Sequence, residues 1–207
     1  MNFKLFVFSI AILFSQTVFA YSSTMMNGDI LKEDNYNINA DLQYLTDADD
    51  NGFIVNGRFD IPFTEDMNLR GVLGFGEVDF HVGGYLKWMP IPDYGTQPAM
   101  GFLTGLHYAN FGDINEFSIR IHPYMSKTFD FSIGELSPYA ALPISLSIID
   151  GETEIPVQFQ LGTELKIRQL QHIAFIAELG IDVAKSFTYF SIGATFHFDS
   201  NYGMVFN

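Results

Sequence analysis

The sequence contains no cysteine among its 207 residues. This absence excludes disulfide bonds, zinc sites with thiolate ligands and the lipidated N-terminal cysteine of an exported lipoprotein. Basic residues are also scarce, with 10 Lys and Arg against 24 Asp and Glu and a net charge of −14. A chain this acidic repels phosphate backbones, so we expect no nucleic-acid partner.

Long apolar runs are missing after residue 20, since polar or charged residues interrupt each one within a few positions. A membrane-spanning helix needs about 20 apolar residues, so the mature chain could cross a membrane only as strands. The apolar run over residues 5–14 follows Lys4 and precedes Ala20, which predicts a signal peptide over 1–20 with cleavage after Ala20. Cleavage leaves 9 basic residues against 24 acidic ones and a net charge of −15.

Aromatic side chains are abundant, with 22 Phe and 10 Tyr, and many of them follow a period of two. From Tyr36 to Tyr44, apolar residues at even positions alternate with Asn, Asp and Gln at odd ones, as in a strand with one apolar face. Similar segments recur as far as Phe198, and we count about ten, with eight or twelve as alternatives. This pattern predicts an all-β fold over 36–207, a closed antiparallel up-and-down transmembrane β-barrel, preceded by an irregular segment over 21–35.

Two Gly-Glu pairs are predicted to be hairpin turns. The apolar phase changes from odd to even positions across Gly76-Glu77 and again across Gly134-Glu135. A two-residue hairpin produces such a change because its two flanking residues point to the same face. Gly at the first turn position also supplies the positive φ of a type II′ turn.

The alternation alone fits either a membrane barrel with its apolar face outside or a soluble secreted barrel with that face inside. Composition favours the membrane barrel, because aromatic residues occur near strand ends, where interfacial girdles lie. The expected girdle residues are Tyr36, Tyr44, Phe63, Trp88, Tyr108 and Phe198.

The opposite, polar face combines amides with ions of both signs, which suits a hydrated lumen. Side chains about fill the interior of a barrel of eight to ten strands. We therefore interpret these ions as a salt-bridged plug in preference to a narrow path for cations. The residues expected to face the lumen are Asp41, Arg58, Asp60, Arg70, Asp79, Lys87, Arg120, Glu164, Lys166, Glu178 and Asp182.

With its signal peptide, alternating strands and short turns, the chain from about Tyr36 onward resembles small bacterial outer-membrane β-barrel proteins such as the OmpA transmembrane domain and OmpW-like families. The resemblance implies a location in the outer membrane, with its lipid and the barrel-insertion machinery as partners. Such barrels usually end on an aromatic residue, whereas here Phe206 is penultimate, which leaves Phe206 or Phe198 for that role.

One segment hints at an enzyme. His107 to Asn110, followed by Glu116, is similar to the His-x-Ser-Asn segment of outer-membrane lipid A deacylases, which implies a His base and a Ser nucleophile. The Ser position is Ala109 here, so a hydroxyl would have to come from Ser118 or Ser126.

Two further patterns point weakly to metal ions. The segment Asp47, Asp49, Asp50 and Asn51 resembles part of a calcium loop but lacks the distal Glu of an EF-hand, so we interpret it as a solvated loop. The histidines fall on separate strands without ligand spacing. No metal or cofactor is therefore predicted.

The sequence thus predicts a non-enzymatic outer-membrane barrel with a structural role or limited passage of small solutes. The alternatives are a lipid-modifying hydrolase of the lipid A deacylase kind and a soluble secreted binding barrel.

Overall fold

A computed structural model of the chain describes residues 23–25, 29–46, 52–77, 79–201 and 203–204. The predicted signal peptide, the calcium-like segment over 47–51 and Phe206 lie outside these residues. Within the described ranges, no helix is long and apolar enough to cross a membrane.

The described residues form fourteen strands in one sheet. Their bounds are β1 Asn35–Leu45, β2 Phe53–Thr64, β3 Met67–Gly76, β4 Phe80–Ile91, β5 Ala99–Phe111, β6 Ile114–Ser126, β7 Phe129–Phe131, β8 Gly134–Ala141, β9 Ile144–Ile149, β10 Glu152–Glu154, β11 Val157–Ile167, β12 Ile173–Ala184, β13 Tyr189–Asp199 and β14 Gly203–Met204.

Six of these strands are halves of three longer ones. β6 and β7 both pair with β8 in one continuous register, and β8 and β9 likewise pair with β11 in a shared register. β10 and β11 continue each other along β9. Pro143 and Pro156 lie in two of the interruptions, because proline has no N–H to donate to a ladder.

The barrel is therefore built from ten strands, each antiparallel to its neighbours, and β13 pairs with β1 to close it. The short β14 adds to β13 beyond the ring. The predicted all-β, closed antiparallel barrel of about ten strands is confirmed. Below, the terminal end is the end of the barrel where β1 begins, and the loop end is where β1 finishes.

Both predicted hairpins join the right strands, but their turns were wrong in position. Gly76 lies within β3, opposite Ile54, and β4 begins at Phe80. Gly134 begins β8 opposite Phe131, so the turn is Ser132-Ile133. A Cβ on either glycine would overlap a backbone carbonyl oxygen of the adjacent strand. Both glycines therefore allow their strand to lie close to its neighbour.

Side chains alternate between the two faces of the wall, apart from three register shifts in the ladders. On β2, Phe59 is 46% exposed and points outward, whereas its neighbour Arg58 is 3% exposed and points inward. The outer face carries large apolar side chains on every one of the ten strands, and the inner face carries most of the buried ions and amides. The apolar face is therefore outside, as the membrane-barrel interpretation requires.

Aromatic side chains form two bands on this outer surface. At the terminal end, Tyr36 stacks on Phe198 with ring centroids 5.0 Å apart. At the loop end, Tyr44 packs against Phe53 at 4.8 Å. Eight residues separate the bands along β1, about 27 Å of strand, which a tilt of about 40° reduces to roughly 20 Å, close to the height of a barrel's apolar belt.

Four tyrosines point into the lumen, and each lies directly across from a glycine on the neighbouring strand. The pairs are Tyr85 with Gly105, Tyr124 with Gly101, Tyr139 with Gly162 and Tyr189 with Gly180. A Cβ at Gly162 or Gly180 would overlap the facing ring. Glycine therefore makes room for large rings inside a narrow barrel.

Candidate functional site

The lumen brings nine of the eleven predicted polar residues together. Eight of the nine are buried, and Lys166 is half-buried near the terminal end. The nine are Asp41, Arg58, Asp60, Arg70, Lys87, Arg120, Glu164, Lys166 and Glu178.

Asp79 is exposed and lies outside the strands, so its expected position in the lumen needs correction. Asp182 keeps the predicted lumen-facing phase opposite the buried Gln158, but it is exposed at the rim. Asp79 belongs to the connection between β3 and β4, where its Oδ2 accepts a hydrogen bond from the Gly112 amide at 2.8 Å. Asp182 lies near the loop end of β12 and accepts from the Ser186 amide at 2.9 Å. Both carboxylates cap turns at the loop end.

Two arginine–carboxylate pairs dominate one side of the lumen. Arg58 contacts Asp41, and both side chains are fully buried. Arg70 donates to both oxygens of Asp60, at 2.6 and 2.8 Å, in the bidentate geometry that suits a guanidinium. Charged pairs this deeply buried require complete partnering, since an ion stripped of water and left alone is costly.

Glu178 is a further buried charge on this side. The Tyr139 hydroxyl donates to its Oε2 at 2.7 Å, and the Tyr189 hydroxyl donates to its Oε1 at 2.5 Å. Tyr189 also accepts a bond from Gln160 Nε2 at 2.8 Å. The wall therefore orients this carboxylate toward the centre of the lumen, and its hydrogen-bond partners among the described wall residues are tyrosines.

The N-terminal segment of the chain occupies the space between these groups. Ser23, Thr24 and Met25 are buried inside the barrel and belong to none of its strands. We call these three residues, together with residues 29–34, the strap. The strap enters at the terminal end, where the Leu31 amide donates to Asn68 Oδ1 at 3.1 Å, and Ser23 lies farther toward the loop end, beside Gln43.

Lumen side chains supply the hydrogen bonds of the strap backbone. The Ser23 amide donates to Gln43 at 2.8 Å, and the Thr24 and Met25 amides donate to the two oxygens of Glu178 at 2.8 Å each. In the other direction, Arg58 donates to the Ser23 carbonyl, and Arg70 donates to the Thr24 carbonyl at 2.5 Å.

The Met25 side chain fills the middle of the lumen. It belongs to an inward-facing apolar cluster that includes Val72, Leu103 and Ile176 as well as three of the lumen tyrosines. A second apolar cluster, with Leu45, Ile54, Ala109 and Tyr189, lies at the loop end. These two clusters and the strap occupy the parts of the lumen that lie between the charged side chains.

At the terminal end, Asp29 fastens the strap to two lysines. Lys166 contacts its carboxylate, and Lys87 donates to its backbone carbonyl at 2.7 Å. Partial withdrawal from water would raise the pKa of Asp29, but the charge and hydrogen bond of Lys166, with Lys87 and His197 beyond, hold that pKa below its usual range. The carboxylate is therefore ionised at neutral pH.

The other side of the lumen carries histidines and Arg120. His81 contacts Asn56 at 2.7 Å and His107 at 3.1 Å, so the two imidazoles face each other inside the barrel. Arg120 donates to Ser118 at 2.9 Å, and Ser147 donates to Glu116 at 2.8 Å.

Two residues of the segment similar to lipid A deacylases, His107 and Ala109, lie on this inner wall. His107 is 2% exposed and Ala109 is fully buried, so neither reaches the outer surface. Among the described residues, no group of three or more His, Asp or Glu side chains is placed to hold a metal ion.

The strap and several uncharged lumen groups were not predicted from the sequence. Glu178's tyrosine partners were detectable, because Tyr139 and Tyr189 occupy the polar phase of their strands. The same holds for Gln43, Asn56 and Gln160. The strap offered no comparable signal, since it is short, has no period of two and is positioned by residues far away in the sequence.

No protein-family model matches the chain, and a search of curated proteins found no similar sequence. Among solved structures, a bacterial polysaccharide outer membrane secretin is 15% identical, with a TM-score of 0.49 over 80% of this chain and 66% of that one. The chain thus spans just under two thirds of the secretin's length.

Two other solved structures match over most of their own length. The β domain of the Bordetella autotransporter BrkA is 11% identical, with a TM-score of 0.43 over 79% of this chain and 98% of that one. A de novo designed transmembrane β-barrel is 13% identical, with a TM-score of 0.41 over 83% and 99%. These resemblances are too distant to bear on the family or the activity of this protein.

Proposed function

We propose that this chain is a non-enzymatic outer-membrane β-barrel with a structural role, whose lumen is closed by its own side chains and by its N-terminal strap. The observation that carries the proposal is the reversed distribution of side chains, with large apolar residues around the outside and ions inside. A soluble protein rarely exposes a continuous apolar surface larger than a few hundred Å². A soluble secreted barrel is correspondingly disfavoured.

Export through a cleaved signal peptide, insertion by the barrel-insertion machinery and contact with outer-membrane lipid are parts of the same proposal. The two aromatic bands support it, because aromatic rings prefer the two interfaces of a bilayer. Passage of small solutes would require the strap and the Met25 side chain to move, so we expect a plug in the resting state.

Fractionation and gel migration test the location. We expect the protein in the outer-membrane fraction, beginning at Tyr21, and we expect the unheated sample to migrate differently from the heated one, as a closed barrel does in mild detergent. Recovery of the protein in the soluble fraction would refute the proposal.

Planar-bilayer recording tests the closed lumen. We expect no steady conductance from the native chain at neutral pH, because the lumen is filled from the terminal end to the loop-end cluster. A stable open channel would show that the strap does not close the barrel. Release of fatty acid from lipopolysaccharide, lost on changing His107 to Ala, would instead support the deacylase alternative.

A further inference from the structure

The strap is bound as a peptide ligand is bound. It forms no strand pairing in the described structure, and Gln43 and Glu178 accept from three consecutive backbone amides, while Arg58 and Arg70 donate to two carbonyls. These groups recognise a main chain, which every peptide has, so the chemical class of ligand that fits this part of the lumen is a peptide.

Side-chain contacts add sequence selectivity. The Ser23 hydroxyl bonds Asp41 at 2.7 Å and Arg58 at 2.6 Å. The Thr24 hydroxyl donates to Gln160 at 2.5 Å. Met25 inserts into the central apolar cluster. Two adjacent hydroxyl residues followed by a long apolar side chain therefore match the site, whereas other orders lose these contacts.

The backbone at Met25 is held in an uncommon conformation. Its φ is 45°, in the left-handed region that residues other than glycine seldom occupy. Such a conformation persists only when its surroundings hold it. Here Glu178 accepts from the Met25 amide, and the apolar cluster surrounds its side chain. The lumen thus imposes the strap's shape.

The charged wall residues that hydrogen-bond the strap also have partners within the wall. Arg58 contacts Asp41, Arg70 is bidentate to Asp60, and Glu178 accepts from Tyr139 and Tyr189. Departure of the strap therefore leaves each ion with a partner. The site is pre-organised, which lowers the cost of binding a replacement ligand.

From these contacts we infer that the lumen is a sequence-selective peptide site, that its resident ligand is the chain's own Ser23-Thr24-Met25, and that it accepts the same sequence from a separate peptide once the resident one is displaced. The inference rests on the closed lumen of the proposed function, but not on its location in a membrane.

The test uses the full mature chain in detergent micelles, with Met25→Asp to displace the strap. A carboxylate in the apolar cluster is unfavourable, whereas Met25→Leu keeps the cluster apolar and serves as the matched control. Displacement is read from a cysteine placed by Ser23→Cys, since the chain has no other thiol. We expect labelling by a maleimide to be at least tenfold faster with Met25→Asp than with Met25→Leu.

Binding is then measured calorimetrically on Met25→Asp with native Ser23. The probe is the acetylated peptide Ser-Ser-Thr-Met-Met, and the control is the same residues in reversed order. We expect the native order to bind at least tenfold more tightly, and we expect Glu178→Gln added to Met25→Asp to weaken binding of the native-order peptide, because Glu178 accepts from two of its backbone amides. Equal binding of the two peptides, or no binding by a chain whose strap is displaced, overturns the inference.

Slow maleimide labelling in the Met25→Asp chain would show that the strap is not displaced. That result would also overturn the inference. If the Met25→Asp chain does not fold, maleimide labelling and peptide binding are measured on Thr24→Val instead. This substitution removes one hydroxyl at nearly constant volume. The proposed function can fail separately, since a protein that fractionates as soluble could still bind the peptide in the native order.

Discussion

Asp41 illustrates what a single buried residue contributes inside this barrel. Its carboxylate contacts Arg58, and both side chains are fully buried. Asp41→Asn keeps the size of the side chain but leaves the Arg58 charge without its counter-ion. We expect the free energy of unfolding in micelles to fall by about 3 kcal/mol, measured by urea denaturation.

Asp182→Asn is the matched control for this substitution. Asp182 is exposed and caps a turn, and an amide oxygen can still accept from the Ser186 amide. We expect a change smaller than about 0.5 kcal/mol. Equal losses from the two substitutions would contradict the buried position of Asp41 or the exposed position of Asp182.

Asp29 gives the strap a dependence on pH. Lys166 and Lys87 outweigh the effect of partial burial and hold the pKa of Asp29 below its ordinary value of 3.8. A lowered pKa in the folded state means that the stabilisation is complete above pH 3.8 and is lost as the pH falls below it. Carbon-detected NMR of the Asp29 carboxyl should show a titration midpoint below 3.8.

Lys166→Gln is the informative variant for that titration. It removes the ammonium that contacts Asp29 without removing the residue's length, so we expect the midpoint of Asp29 to rise. An unchanged midpoint would mean that Lys166 does not hold the strap at the terminal end.

At the residue level, the sequence predicts the charged side chains of the lumen wall better than it predicts the strap that they surround. Arg58, Arg70 and Glu178 follow from the period of two, because alternation assigns each residue of a strand to one face. That rule holds only within a strand, which explains the exposure of Asp79, and it does not predict burial at the rim of the barrel, where Asp182 lies. Residues 23–25 follow no such rule, since their position depends on groups contributed by several distant strands.

At the level of strands, the sequence predicts the order and the faces of the elements, but not where they turn. The phase change across residues 75–80 is real, because Leu73 pairs with Val82 and both point outward. The turn was misplaced because a glycine was interpreted as a turn residue. Gly76 instead lets β3 approach the Phe53 carbonyl oxygen closely, a requirement that depends on a third strand.

The pairing of tyrosine with glycine across strands predicts a steric effect. A methyl group at Gly162 would overlap the Tyr139 ring, which holds Glu178 through its hydroxyl. We expect Gly162→Ala to lower the free energy of unfolding by about 1–3 kcal/mol and to weaken the retention of the strap. Denaturation in micelles and thiol labelling at Ser23→Cys measure the two effects.

Gly71→Ala is the control on the same wall. A Cβ at Gly71 would meet nothing within 4 Å, so the substitution adds a methyl group without a clash. We expect little loss of stability from it. A loss as large as that of Gly162→Ala would show that the backbone freedom of glycine, and not the tyrosine ring, determines the effect.

At the level of the whole molecule, the fold reverses the usual arrangement of a globular protein. Hydrophobic burial does not occur mainly within the chain, since the outer face keeps its large apolar side chains exposed. An apolar solvent around the barrel would complete their burial, while ion pairs, amides and the strap fill the inside. The central claim is that this outer surface contacts lipid.

Nitroxide labels attached to single cysteines on one hairpin test that claim most directly. Leu106→Cys and Ile119→Cys occupy facing outward positions on β5 and β6, and Asp113→Cys lies in the turn between them. In reconstituted vesicles, we predict that oxygen, which concentrates in lipid, relaxes the labels at 106 and 119 more than a water-soluble nickel complex does, with the reverse at 113. Stronger relaxation by nickel at 106 and 119 would contradict the account.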